Sequence, residues 1–255
     1  MQCDWHYIAN FAMFMAYQLA IDSGNTSVKV YLAADGEIVG CHRFACLADA
    51  DIDSLCPSGV DGCIVSTVRS DDAAAIKALK CRWPDTVVLS HTTPMPITIA
   101  YATPESLGRD RIAAAVGAYT PGSGHAAVVI DAGTALTLDV VDCDGRFMGG
   151  NISPGISMRL RALNHFTQRL PLVEAAGDTP MAGYDTITAI RSGVVNGIVA
   201  EIDGFISAVA DKFGVLDVYL TGGDAIFLAN RLKSSIFVDE NLLAKGLIRI
   251  LKYNR

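Results

Sequence analysis

Residues 19–40 read LAIDSGNTSVKVYLAADGEIVG, and residues 128–149 read VVIDAGTALTLDVVDCDGRFMG. The stretches align without gaps at an offset of 109 residues (Asp22 onto Asp131), which lays Ile21, Asp22, Gly24, Asp35, Gly36 and Gly40 onto Ile130, Asp131, Gly133, Asp144, Gly145 and Gly149. Each copy predicts an apolar strand, a D-x-G turn, a second strand, an Asp-Gly turn and the opening of a third strand. An Asp-Gly pair between β-rich runs is a strong hairpin signal, because these residues accept the positive φ of a tight turn. Identities that all fall at turn or candidate site positions argue for two similar halves.

The flanking sequence fits two α/β halves. DGCIVSTV (61–68) and TVVLS (86–90) are short continuous apolar runs of the buried-strand type. Between them Asp71–Lys80 carries helical spacing, with Ala74, Ile76, Ala78 and Leu79 apolar. Arg109–Tyr119 predicts a helix, closed by Thr-Pro-Gly. Further on, Gly183–Phe213 reads as a long helical stretch with Gly193 and Gly197 as points of interruption. Asp217–Leu220 reads as a strand, followed by the turn Thr221-Gly222-Gly223, a helix through Leu232, and a closing helix over Asn241–Leu251. The Thr120-Pro121-Gly122-Ser123-Gly124 stretch is the best boundary. The expected organisation is an extension over 1–18, a first half over 19–123 and a second half over 124–255.

The chain has 255 residues, 51% of them apolar and 18% charged, which supplies a sizeable core and excludes intrinsic disorder. The formal net charge of −7 argues against a general affinity for nucleic acid or an anionic membrane. A phosphate-bearing ligand would need local backbone donors and a few placed cations. The seven cysteines (3, 41, 46, 56, 63, 81 and 143) are odd in number, irregularly spaced and without a C-x-x-C. That fits reduced thiols in a cytoplasmic enzyme better than a disulfide framework or a zinc site. Trp5–Ile21 carries no charged residue, yet it includes His6, Asn10 and Gln18 and lacks a basic n-region. It is short and polar for a membrane span and poor as a signal peptide. Met13 and Met15 are alternative starts.

Several short motifs could carry chemistry. In Asp22-Ser23-Gly24-Asn25-Thr26, glycine after a strand lets backbone N–H groups approach an anion. Asn25 and Thr26 add donors, Lys29 a positive charge, and Asp22 can hold a hydrated divalent ion. An ordinary hairpin turn is the competing reading. The second copy, Asp131-Ala132-Gly133-Thr134, favours phosphate, since two such turns facing each other across a cleft can grip a polyphosphate from both sides. Thr221-Gly222-Gly223-Asp224 is either a plain strand–helix turn or a place where a base or phosphate meets bare backbone. Leu107-Gly108-Arg109-Asp110-Arg111 opens a helix. It is either a surface salt-bridge patch or a site where Asp110 takes a proton from a hydroxyl while the helix start and an arginine bind a polar substrate. Gly149–Gly155 (GGNISPG) reads as a constrained loop. There is no G-x-x-x-x-G-K-[ST], G-x-G-x-x-G, H-E-x-x-H or G-x-S-x-G, which disfavours P-loop, Rossmann, zincin and serine-hydrolase sites.

Taken together, DSGNTSVK (22–29), GRDR (108–111), DAGT (131–134), GGNISPG (149–155), Asp185-Thr186 with Ser192-Gly193, and Thr221-Gly222-Gly223 resemble the type III pantothenate kinases, in order and spacing, from residue 19 to about 250. The family belongs to the acetate and sugar kinase, Hsp70 and actin superfamily. The resemblance implies two ribonuclease H-like (actin-like ATPase) halves with an ATP cleft between them. It implies that Asp22, Ser23, Gly24, Asn25, Thr26, Ser27, Val28 and Lys29 bind ATP, with Asp22 near Mg2+, directly or through water, and Thr134 touching ATP from the second turn. Asp131 would ligate a monovalent cation, potassium or ammonium. Tyr101, Gly108, Arg109, Asp110, Arg111 and Thr186 would bind pantothenate, with Asp110 accepting the hydroxyl proton. The family forms homodimers with pantothenate and potassium near the subunit interface. This sequence departs from the pattern in its N-terminal extension and in Tyr184-Asp185 before Thr186, where an amide or serine is more usual. Another small-molecule kinase of the superfamily and a non-enzymatic regulatory relative are the alternatives. A regulator would be expected to have lost the base or a phosphate turn, whereas Asp22, Asp110, Arg111 and Asp131 are all present.

Overall fold

The computed structural model describes residues 17–56 and 59–255. The first sheet contains β1 (Tyr17–Ser23), β2 (Val28–Ala34), β3 (Glu37–Phe44), β4 (Val60–Thr67) and β5 (Val87–Val88), in spatial order β3-β2-β1-β4-β5. The second contains β6 (Thr98–Ile99), β7 (Ala126–Ala132), β8 (Ala135–Val141), β9 (Arg146–Pro154), β10 (Leu216–Thr221) and β11 (Phe237–Val238), in order β11-β10-β7-β8-β9-β6. Leaving β6 aside, the second order is the first one repeated. In each, an antiparallel three-strand meander leads into two strands that run parallel to its first strand. Tyr17 and Gln18, assigned from sequence to the extension, already pair in β1 with Ala34 and Ala33. The rest of that extension lies outside the described residues.

The gapless alignment conceals two compensating one-residue shifts. Ser23 pairs with Val28, leaving Gly24–Ser27 in the first turn, whereas Ala132 pairs with Leu136 across a turn one residue shorter. Lys29 therefore corresponds to Thr137. The residue is regained at the next hairpin. Asp35 and Gly36 close the first one at φ 53° and 96°, while the second has Cys143–Gly145 between Asp142 and Arg146, with Asp142 N donating to Arg146 O at 2.9 Å and Gly145 at φ 78°. Both meanders then share a bulge, after Leu32↔Gly40 in one and Val140↔Gly149 in the other.

The helices are α1 (Ile52–Leu55), α2 (Ala73–Arg82), α3 (Arg109–Ala118), α4 (Ile156–His165), α5 (Thr186–Phe213), α6 (Ala225–Ala229) and α7 (Leu242–Tyr253). The first core packs Leu19, Ile21, Val28, Val30, Cys63 and Val65 with Leu47 and Leu79. The second packs Val128, Ile130, Leu136 and Leu138 with Ile190, Val194, Ile198 and Ile202 of α5. Those four positions recur every fourth residue, as one buried helix face requires.

Helix α5 differs from its sequence reading at two points. It begins at Thr186, where an Asp185–Thr188 capping box starts it: Thr188 N donates to Asp185 Oδ1 at 2.7 Å, and Asp185 N donates to Thr188 Oγ1 at 3.1 Å. It also runs unbroken through Gly193 and Gly197, because packing of the apolar face outweighs about 1 kcal/mol of glycine propensity at each site. By length and composition alone α5 could cross a membrane. Its apolar stripe instead belongs to the second core.

Contacts among the described residues divide the chain into one unit within 1–96, 103–117 and 243–255 and another of 97–102 and 118–242. This differs from a single cut near residue 123. The closing helix α7 joins the first unit, where Arg249 Nη1 donates to Val116 O at 2.6 Å. Gly246 there lies too close to the Ala113 carbonyl for any side chain. Residues 97–102 join the second unit because β6 pairs with β9.

Candidate active site

In the first unit, β1 delivers Asp22 and Ser23 to the tip of the sheet, where Gly24 N closes the turn on Ser27 O at 3.2 Å. Asn25 and Thr26 are exposed. Asp22 is paired in register with Lys29 on one side and Ser66 on the other. The start of α3 is tied to the same sheet end. Arg109 Nη1 donates to the carbonyl of Thr67, the residue that pairs with Ser23. Thr67 is itself held, its hydroxyl donating to buried Asp72 at 2.5 Å and accepting from Arg69 N at 3.0 Å. Arg111 N donates to Asp110 Oδ1 at 2.9 Å. A Cβ at Gly108 would sit 2.5 Å from that same Oδ1, so a side chain there would displace the carboxylate. Asp110 is exposed, whereas Arg111 is buried.

The second unit builds its turn differently. Gly133 N donates to Ala135 O at 3.0 Å, Gly155 N to Thr134 O at 3.1 Å and Asp224 N to Ala132 O at 2.9 Å. Gly155 presses on the carbonyls of Gly133 and Thr134, and Gly222, at φ +96°, presses on the Ala132 carbonyl and the Asp131 carboxylate. Neither position has room for a Cβ. The two glycine-rich motifs, read separately from the sequence, thus clamp the Asp131–Thr134 turn from two sides. Burial pushes the Asp224 carboxyl above the ordinary aspartate range.

The GGNISPG segment is anchored in turn. Ser153 Oγ donates to Glu201 Oε1 at 2.6 Å, and Arg159 bonds to Glu201 Oε2, to Ser153 Oγ at 3.0 Å and to Pro154 O at 2.7 Å. Sequence reasoning missed Arg159 and Glu201, which no local motif marks. Tyr101 lies over Gly149, whose Cβ would stand 3.4 Å from the ring, and meets Phe147 edge-on at 6.2 Å between centroids. Thr186 opens α5 and lines an apolar groove of about 830 Å³ with Pro154, Arg159, Phe166 and Gly193. Within the second unit, Tyr101 and Thr186 thus sit in different surroundings: a ring over the β9 bulge and the mouth of a helix groove. Among the described residues no three His, Cys, Asp or Glu side chains cluster as a metal site.

Two sheets of one strand order, each ending its first strand in an Asp followed by a glycine turn, define the mixed α/β class of the sugar kinases and actin-like ATPases. Solved structures agree at the level of fold. A Listeria monocytogenes protein described as an N-acetylmannosamine kinase has a TM-score of 0.54 at 14% identity, over 93% of this chain and 98% of that one. A Campylobacter jejuni protein described under the Baf family of transcriptional activators has a TM-score of 0.57 at 23% identity, over 92% of this chain and 97% of that one.

Sequence comparison is more specific. The chain belongs to the type III pantothenate kinase family, whose model matches residues 18–208. It is 44% identical to the type III pantothenate kinase of Phocaeicola vulgatus over 239 residues, covering 92% of this chain and 98% of that one. It is 37% identical to the enzyme of the same name from Porphyromonas gingivalis (W83) over 244 residues, covering 94% of this chain and 100% of that one.

Proposed function

We propose that the chain carries out its family's reaction, transfer of the γ-phosphoryl group of ATP to the primary hydroxyl of pantothenate. The products are ADP and 4′-phosphopantothenate, the first step towards coenzyme A. One observation carries this reading: a chain of this family retains both glycine turns at the ends of equivalent strands, together with an exposed carboxylate at the start of α3. Phosphoryl transfer asks a protein mainly to position reactants and neutralise charge, and those parts suffice.

In this scheme the turn Asp22–Lys29 holds the ATP phosphates, with Thr134 adding a contact from the second turn. Asp110 is the general base. The Arg111 amide fixes its carboxylate at 2.9 Å, leaving the other oxygen to accept the hydroxyl proton. Arg109, Arg111, Gly108, Tyr101 and Thr186 bind pantothenate. The Asp22 carboxylate suits magnesium, which keeps several waters and takes its remaining ligands from substrate phosphates. Magnesium, when bound, neutralises charge on the transferring group. Asp131, whose carboxylate meets Gly222 beside the Ala132 carbonyl, offers oxygens of the kind a potassium or ammonium ion takes.

The enzyme acts as a cytoplasmic homodimer in this reading. The apolar groove at Thr186, lined by Phe166 at 82% exposure, supports a second copy covering that face. The test is ADP release by purified protein with and without pantothenate, in potassium and then in sodium buffer. Pantothenate-dependent release that is faster in potassium is expected. Release indifferent to pantothenate would overturn the proposal.

A further inference from the structure

The polar row at the tip of the first sheet extends one strand beyond the predicted ATP motif. Ser66, Asp22, Lys29 and Arg43 pair directly across β4, β1, β2 and β3. Directly paired residues share a face of the sheet. The opposite face is fixed by the core, which takes Ile21, Val28 and Val65 with Phe44 packed against them. Arg43, the neighbour of Phe44, therefore lies on the Asp22 side.

Arg43 is exposed and Lys29 half-buried, and neither makes an ion pair or hydrogen bond with any described residue. The buried Tyr31 lies next along that face, two residues from Lys29, and its phenol feels the Arg43 charge. Burial first, then Cys41 and Asp22, push the phenol upward, and Arg43 pulls the other way. Strands are about 4.8 Å apart, so the Arg43 backbone is two strand spacings, about 10 Å, from Asp22, within the span of a long side chain and a phosphate chain.

The second sheet supplies the contrast. Its matching row is Thr221, Asp131, Thr137 and Ile152, which contains no cation. In a chain of net charge −7, two cations without an ion-pair or hydrogen-bond partner among the described residues, beside one of two equivalent turns, mark a place where anionic charge is received.

We propose that Arg43 is a second phosphate-contacting residue beside Lys29, so that the first turn grips the polyphosphate of the nucleotide with a pair of cations carried on β2 and β3. This rests on the reading of Asp22–Lys29 as the ATP turn. A charge that merely balances Asp22 would support folding but would not discriminate among nucleotides by phosphate number.

The experiment is calorimetric binding of ATP, ADP and AMP, at one salt concentration, to the wild-type chain and to Arg43→Ala, Arg43→Gln and Arg43→Lys. Lys77→Ala, on the exposed side of α2, is the surface control. The expected result is about a tenfold loss of ATP affinity in Arg43→Ala, the scale of one charged hydrogen bond. The loss is smaller for ADP and within about twofold for AMP, and Arg43→Lys recovers part of it. If Arg43→Ala does not fold, Arg43→Gln keeps the stem and carries the same expectation. ATP affinity unchanged in the folded variants, or equal losses for all three nucleotides, would overturn the inference while leaving the ATP turn standing. A wild-type chain that binds no ATP would fail one level lower, removing the turn assignment and this inference with it.

Discussion

The two hairpin turns are built on equivalent strands, yet they are held by different means. Around Asp22 the turn has four residues, Gly24 has only an ordinary 3.6 Å neighbour for an added Cβ, and the paired strands carry Lys29 and Arg43. Around Asp131 the turn is a residue shorter, the matching positions are Thr137 and Ile152, and Gly155 and Gly222 press backbone against backbone. The first turn can receive an anion through side-chain charge. The second offers amides, carbonyls and one carboxylate in a tightly packed shell. One architecture, used twice, thus provides two electrostatically distinct surfaces.

The comparison can be broken in several places. The largest effect is expected at Asp110, in the first unit. Asp110→Asn should lower single-turnover phosphorylation by roughly 10²–10⁴-fold, the range for losing a positioned base. ATP affinity should survive, because in the proposed scheme other residues hold the nucleotide. A folded variant that transfers phosphate at nearly the wild-type rate would remove Asp110 from catalysis.

Next come the glycines. Gly222→Ala and Gly155→Ala should each cost about 2–4 kcal/mol in denaturant unfolding, since a Cβ would meet backbone carbonyls that cannot move independently. Gly24→Ala should cost less than about 1 kcal/mol. Equal costs in the two turns would erase the structural contrast. Asp131→Asn should raise the potassium concentration needed for half-maximal activity, or abolish activation. An unchanged potassium profile would take Asp131 out of the cation site.

The smallest effect concerns Asp224. Burial raises its folded pKa above the ordinary 3.8, so the folded chain holds this proton more tightly than the unfolded one. Stability from this group therefore falls as pH rises from 3.8 through the folded value. Asp224→Asn should gain slightly in melting temperature at neutral pH and gain nothing below pH 3.8. A gain of the same size at both pH values would contradict the assignment.

Much of the fold was legible because its signals are local. The hairpin repeat, the apolar strands and the start of α3 follow from turn residues and short-range patterning. The failures share a cause, since they depend on pairing between distant segments. The two-residue β6 is a strand only because β9 lies beside it. The α7 helix joins the first unit through Gly246 and Arg249, which sequence order places in the second half. At the site, the motif residues were legible, but the convergence of Gly155 and Gly222 on one turn was not. Arg43 escaped notice because its place beside Lys29 is set by cross-strand register, including a bulge after Leu32.

In the proposed scheme the first turn holds nucleotide by side-chain charge and the second by backbone and hydroxyl contacts. This is tested most directly by ATP affinity measured against choline chloride concentration at fixed potassium, for the wild-type chain, Lys29→Ala and Thr134→Ala. Solvent-exposed charge contacts are screened by salt, whereas neutral hydrogen bonds respond little. Wild-type affinity should fall with salt, Lys29→Ala should show a flatter dependence, and Thr134→Ala should bind more weakly with the wild-type slope. A Lys29→Ala slope equal to the wild type, or a slope lost in Thr134→Ala instead, would contradict the scheme.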